Sequence, residues 1–174
     1  ADYADQSFDH PQALQCFVEQ HFSLPKPVSE PKVSRGTSVQ DYIESLWPLL
    51  TRKSSDENAG SLLALCKDYV VPGGRFREIY YWDSYFTAVG LMKSGRAALV
   101  DNLFDNFAHL QQLIGHIPNG NRSYYNTRSQ PPILALIVRL LLENNPDMDR
   151  VRTFIDALET EYAFWMRGGD TLSS

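Results

Sequence analysis

The sequence predicts an all-α fold in which helical hairpins stand side by side in two layers, as part of an α/α toroid. Three observations predict it. Helical segments that are apolar nearly all round alternate with segments apolar along one stripe only. No segment of useful length has the two-residue alternation of a strand, although 69–71 has residues able to pair locally, and no internal repeat supports a solenoid. Two compositionally unusual stretches, 72–83 and 115–130, each connect into an apolar helix. In a ring of hairpins the connections at one end surround the central cavity, so both stretches are expected to open at the same end.

The elements follow in order. Residues 1–36 read as an N-terminal helix and an extended strap, and 37–174 as the first hairpins of the toroid. In the first helix Leu14, Phe17, Val18, His21 and Phe22 share one stripe, and the proline-rich stretch 24–31 forbids regular structure after it. Thr37 or Ser38 can cap the next helix, where Val39, Tyr42, Ile43, Leu46 and Trp47 recur at helical spacing. The polar, small residues 51–60 predict an exposed loop. From Trp82 to Lys93 apolar side chains lie almost all round, which predicts a helix buried on several sides, and Gly95 is placed to end it. Residues 96–114 are amphipathic, with one face expected in water. Pro131 and Pro132 suit a first helical turn, 133–142 is apolar nearly throughout, and 148–165 is amphipathic again.

Composition narrows the function classes. A chain of 174 residues with 43% hydrophobic and 21% charged residues can bury one real core. A net charge of −5 leaves no electrostatic footprint for nucleic acid and no basic run for an anionic membrane. The longest apolar run, interrupted by Arg139, is too short to span a bilayer. Cys16 and Cys66 lack metal-ligand spacing and are too few for a disulfide framework, so each is expected to be a buried or half-buried small residue.

The stretch 72–86 concentrates Gly73, Gly74, Arg75, Arg77, Glu78 and Asp83 among Phe76, Tyr80, Tyr81, Trp82, Tyr85 and Phe86. Pyranose rings present flat apolar CH faces edged by hydroxyls, and a site for them needs aromatic plates beside groups that exchange several hydrogen bonds. Arg75, Phe76, Trp82 and Asp83 supply that set. Two roles fit Asp83: a carboxylate at a helix N-terminus, favoured by the macrodipole, or a bidentate acceptor of two sugar hydroxyls beside Trp82. Two also fit Arg75: an ion pair with Glu78, or a guanidinium fork for vicinal hydroxyls or a catalytic carboxylate. The stretch 115–130 has Asn119, Asn121, Arg122, Asn126, Arg128 and Gln130 with Tyr124 and Tyr125 and no acid, so it can donate hydrogen bonds but cannot supply a general acid. Pro118, Gly120 and Asn121 fit as turn formers, and His116 as a hydrogen-bonded structural group in preference to a base.

The run PGGRFREIYYWDSY (72–85) resembles, nearly letter for letter, the first signature of the trehalases of glycoside hydrolase family 37. A second match, GHIPNGNRSYY (115–125) continuing through 128–132, keeps the order and spacing of those enzymes; 46–52 and 61–65 look like the bacterial branch, and the resemblance extends from about Leu14 onward. It implies inverting hydrolysis of trehalose to two glucose molecules with neither metal nor organic cofactor, and it assigns Arg75, Asn119, Arg128, Ser129 and Gln130 to the sugar. An inverting glycosidase needs an acid and a base carboxylate roughly 6.5–9.5 Å apart. Near the site only Glu78 and Asp83 are acidic, within one turn-and-helix segment, and the family's catalytic pair belongs to segments downstream of both motifs.

The chain is therefore read as an N-terminal portion that holds the substrate and is inactive alone, its partners being trehalose or glucose and the remaining part of the same enzyme. Its expected compartment is the periplasm. Two alternatives stay open: a non-catalytic helical sugar-binding or interaction module, and another glycosidase on the same toroid.

Overall fold

A computed structural model describes residues 10–22, 34–55, 57, 60–144 and 146–169. The expected strap over 24–31 and the end of the chain from residue 170 lie outside the described residues. Six α-helices and one two-stranded ladder make up most of what is described, so the all-α expectation holds.

Helix α1 (Pro11–His21) begins with proline in its first turn, and the His10 ring accepts the Ala13 N–H. Its apolar stripe forms as expected, yet the helix buries no residue, and Leu14 and Phe22 stay exposed. Helix α2 (Val39–Leu50) is capped by Ser38, whose hydroxyl accepts the Asp41 N–H at 3.0 Å and donates to the Asp41 carboxylate at 2.7 Å. Of its stripe only Trp47 is buried, because α2 meets the body of the molecule through its last turns. There the indole lies so close to Gly90 that a Cβ on that glycine would sit 3.1 Å from the ring, and Nε1 donates to Ser94 Oγ at 2.9 Å.

Residues 51–52, expected in an exposed loop, form strand β1 (Thr51–Arg52) against β2 (Tyr69–Val70), in antiparallel register Thr51↔Val70 and Arg52↔Tyr69. The local pairing of 69–71 is thus realised, and its partner is the start of that loop. Arg52 ties this ladder to the first unusual stretch by donating to the carbonyls of Leu49 and Phe76.

Helices α3 (Asp83–Lys93), α4 (Ala97–Ile114), α5 (Leu134–Asn144) and α6 (Val151–Trp165) form the helical body, with α4 packed against α3, α5, α6 and β2. Helix α3 ends where expected. The N–H groups of Gly95, at φ +67°, and Arg96 bond back to the carbonyls of Met92 and Leu91, a Schellman closure that glycine enters without strain. Helix α5 starts at Leu134, so Pro131 and Pro132 precede the first turn instead of filling it.

The distribution of burial differs from the expected alternation. Helix α3 buries only Ser84, Ala88 and Leu91 and leaves Phe86 64% exposed. Helix α4, expected to wet one face, buries Val100, Leu103, Phe104, Phe107, Leu110 and also Asn106 and Gln111. Those two amides can be buried because each finds backbone partners: Asn106 accepts from Lys67 N–H and donates to Lys67 C=O, and Gln111 donates to Ala157 C=O. Arg150 bonds both Asp101 and Asp105 with its guanidinium over the Phe104 and Phe154 rings, which meet edge-on, so charges read as a wet face become the seam between α4 and α6. Both cysteines are exposed, contrary to expectation. Cys66 leans its thiol on the Asn106 side chain at 3.4 Å while the residue itself stays at the surface, and Cys16 lies on the unburied α1.

Candidate functional site

The two unusual stretches meet and are bonded to each other along their length. Tyr80 and Gly120 form an antiparallel bridge, and the Tyr81 N–H donates to Asn119 C=O at 3.1 Å. Gly120 is required here by proximity, since a Cβ would lie 2.6 Å from the Ile79 carbonyl oxygen. On the other side of Asn119 its own N–H donates to Arg128 C=O at 2.9 Å, and the Trp82 N–H donates to Gln130 Oε1 at 3.1 Å. Ile79 and Tyr81 are fully buried, Tyr80 is half-buried, and Trp82, 45% exposed, already has helical torsions where the chain turns into α3.

A buried ion pair locks the junction. Arg122 donates to Glu78 Oε2 through Nε (3.0 Å) and Nη2 (2.7 Å), and through Nη1 to Ser61 Oγ (3.1 Å), while Tyr80 O–H donates to Glu78 Oε1 (2.9 Å). Burial alone pushes the Glu78 carboxyl up, but the hydrogen bonds and charge of Arg122 and Tyr80 outweigh it and hold the group below the usual carboxylate range. Burial, with the hydrogen bonds to Tyr125 and Glu78, pushes the Tyr80 phenol well up. Asn121, fully buried, accepts the Ile79 N–H and donates to Leu63 C=O. It is a clamp as well as the middle residue of a tight turn, closed by the Arg122 N–H donating to Gly120 C=O at 2.8 Å.

On this frame the predicted residues stand as follows. Arg75 is exposed, with its guanidinium 4.6 Å from the Phe76 ring centre, and it does not pair with Glu78, whose partner is Arg122. Phe76 is half-buried and meets Tyr80 edge-on. Trp82 precedes α3, and Asp83, its first residue, stands in the first turn, the place where the helix macrodipole favours a carboxylate, as one of its two expected roles requires. Arg128 is exposed and lies over Tyr125 at 4.9 Å; Ser129 donates to Gln130 C=O. Trp82 is thus bonded directly to the Gln130 side chain, and its neighbour Tyr81 to Asn119, which in turn bonds Arg128, while Arg75 connects to Arg128 through the Phe76, Tyr80 and Tyr125 rings. His116 has a structural character, buried and stacked on Phe164 at 4.4 Å with burial lowering its pKa, but the hydrogen bonding expected of it does not extend to its buried Nε2, which meets no partner among the described residues.

The candidate site is an open wall. A separate recess of ≈ 340 Å³, lined by Arg52, Lys53, Tyr69 and Arg77 among others, includes none of the predicted residues. Among the described residues no cluster of His, Cys, Asp and Glu could hold a metal ion, and no helix is long and apolar enough to cross a membrane. Sequence reasoning missed the Glu78–Arg122 pair, whose partners lie 44 positions apart. It also missed the burial of Tyr81, which nothing in the uniformly apolar and aromatic run 79–82 distinguishes from its neighbours.

Comparison with known proteins adds two findings. The family model described as Trehalase matches residues 2–173. Among solved structures, neutral trehalase Nth1 from Saccharomyces cerevisiae is similar over 87% of this chain and 28% of its own, at 25% sequence identity and a TM-score of 0.48.

Proposed function

The chain belongs to the trehalase family, and from that premise we propose that it carries the glucose-holding wall of an α,α-trehalase that hydrolyses trehalose with inversion. The observation that supports this most is the fusion of stretches 72–83 and 115–130 into one surface bearing Trp82, Asp83, Asn119, Arg128 and Gln130. Trp82 offers a half-exposed plate for the apolar face of a pyranose. Asp83, at the head of α3, accepts two hydroxyls; Arg128, Asn119 and Gln130 surround them with further polar groups, and Arg75 with Phe76 extends the wall.

The acid and base of the reaction come from elsewhere in the enzyme. Glu78 cannot be the acid, because Arg122 holds it ionised and both of its oxygens are occupied. Asp83 on this reading is engaged with sugar hydroxyls. The chain spans 28% of the length of neutral trehalase Nth1, and the remaining part of the same enzyme is the partner that supplies the catalytic pair.

The test is Trp82→Ala and Asp83→Asn in the full-length protein, assayed on trehalose, maltose and sucrose. We expect kcat/KM on trehalose to fall by about tenfold or more for each variant. Values within about twofold of wild type would remove these residues from the site, and a preference for maltose or sucrose would reassign the substrate.

A further inference from the structure

We propose that Glu161, on α6 and remote in sequence from both stretches, is a positioning residue for the sugar wall and acts through Tyr81. The inference rests on the glucose-wall reading above. Tyr81 is fully buried between two residues of that wall: Tyr80, bridged to Gly120, and Trp82, bonded to Gln130. Its ring is fixed edge-on against Phe107 of α4 at 5.1 Å, and its N–H is held by Asn119. The phenol oxygen accepts the N–H groups of Ile133 (3.1 Å) and Leu134 (2.9 Å), the residues with which α5 begins, three and four places after Gln130. Tyr81 therefore pins the end of the first stretch and the end of the second with one side chain.

A phenol has one proton and two lone pairs. The two amides occupy the lone pairs, so the proton needs an acceptor, and the Glu161 carboxylate supplies it. No solvent reaches Tyr81 to replace that acceptor. With Glu161 gone, the O–H has to turn toward another acceptor or remain unsatisfied, and either event loosens its hold on the start of α5. The disturbance then reaches Gln130 and Trp82, which are bonded to each other. Glu161 touches no sugar itself; it is 7% exposed and faces inward from α6.

The experiment compares Glu161→Leu, Glu161→Gln and Tyr81→Phe in the full-length protein, each assayed on trehalose well below its own melting temperature. Amide hydrogen exchange is read at 79–84 and 128–135. Glutamine keeps a carbonyl oxygen for the phenol; leucine does not. We expect Glu161→Leu and Tyr81→Phe to raise KM by about tenfold with kcat within about twofold, and Glu161→Gln to restore KM to within about threefold of wild type. Exchange should accelerate at both segments in the first two variants and stay near wild type in the third. A Glu161→Leu protein that melts lower yet keeps wild-type KM and exchange at both segments would overturn the proposal, leaving Glu161 a stability residue only. If Glu161→Leu does not fold, Tyr81→Phe decides by the same two readouts. If the wild-type protein does not act on trehalose, the function proposed above fails, and the exchange pattern alone decides whether Glu161 holds the wall together.

Discussion

The junction of the two stretches and the N-terminal helices α1 and α2 start from similar material, apolar residues at regular spacing with polar groups between them, and end differently. At the junction polar groups are partnered across tens of residues: Glu78 with Arg122, Ile79 with Asn121, Tyr81 with Asn119 and Glu161. In α1 and the start of α2 the side-chain bonds are local, as in the Ser38–Asp41 cap; α2 reaches far along the chain through Trp47 to Ser94 and Glu44 to Arg96, and across both helices only Trp47 is buried. Periodicity is enough to shape a helix. Burial needs a second surface, and a wall needs long-range bonds that only one arrangement can satisfy.

The contrast is broken most severely at the ion pair. Arg122→Ala leaves the Glu78 carboxylate buried without its cation and should cost about 3–5 kcal/mol, whereas Glu78→Leu with Arg122→Met should cost far less, since both charges leave together. Thermal or denaturant unfolding of the full-length protein measures both, and equal losses would mean that the pair does not lock the junction. Acid should sharpen the contrast by a smaller amount. Because the folded pKa of Glu78 lies below its ordinary value of 4.5, its contribution is present above that value and is lost as pH falls through the folded pKa. Stability below pH 4.5 should therefore fall less steeply in Glu78→Gln than in wild type. Glu161 runs the other way: burial raises its pKa, so its contribution is complete below 4.5 and is lost as pH rises through the folded value. The smallest effect belongs to α1, where Leu14→Ser should change stability by less than about 0.5 kcal/mol. A loss above about 2 kcal/mol would show that its stripe is covered in the full-length protein.

Much of the site was legible before any coordinates. The density of rings, guanidinium groups and carboxylates in 72–86 and of amide donors in 115–130 marked both stretches, and their placement before helices predicted the convergence that the Tyr80–Gly120 bridge realises. Less legible was the division of labour inside them. Asn121 reads as a turn former and Arg122 as one donor among several, yet Asn121 is also a buried clamp between Ile79 and Leu63, and Arg122 is committed to Glu78 and Ser61. The reason is that a side chain's role depends on which groups compete for it, and those groups arrive from elsewhere in the chain.

By itself the sequence determined what is local: the helices, through spacing and caps such as Ser38 and Gly95; the positions where glycine is needed; and the family, through two long motifs. Only the tertiary structure decided which faces are dry. It drew Asn106 and Gln111 inside by giving them backbone partners, left Phe86 and α1 outside, and joined Glu161 to Tyr81. Local torsions and hydrogen bonds are set within a few residues, whereas burial is a property of two surfaces meeting, and the second surface is written far away along the chain.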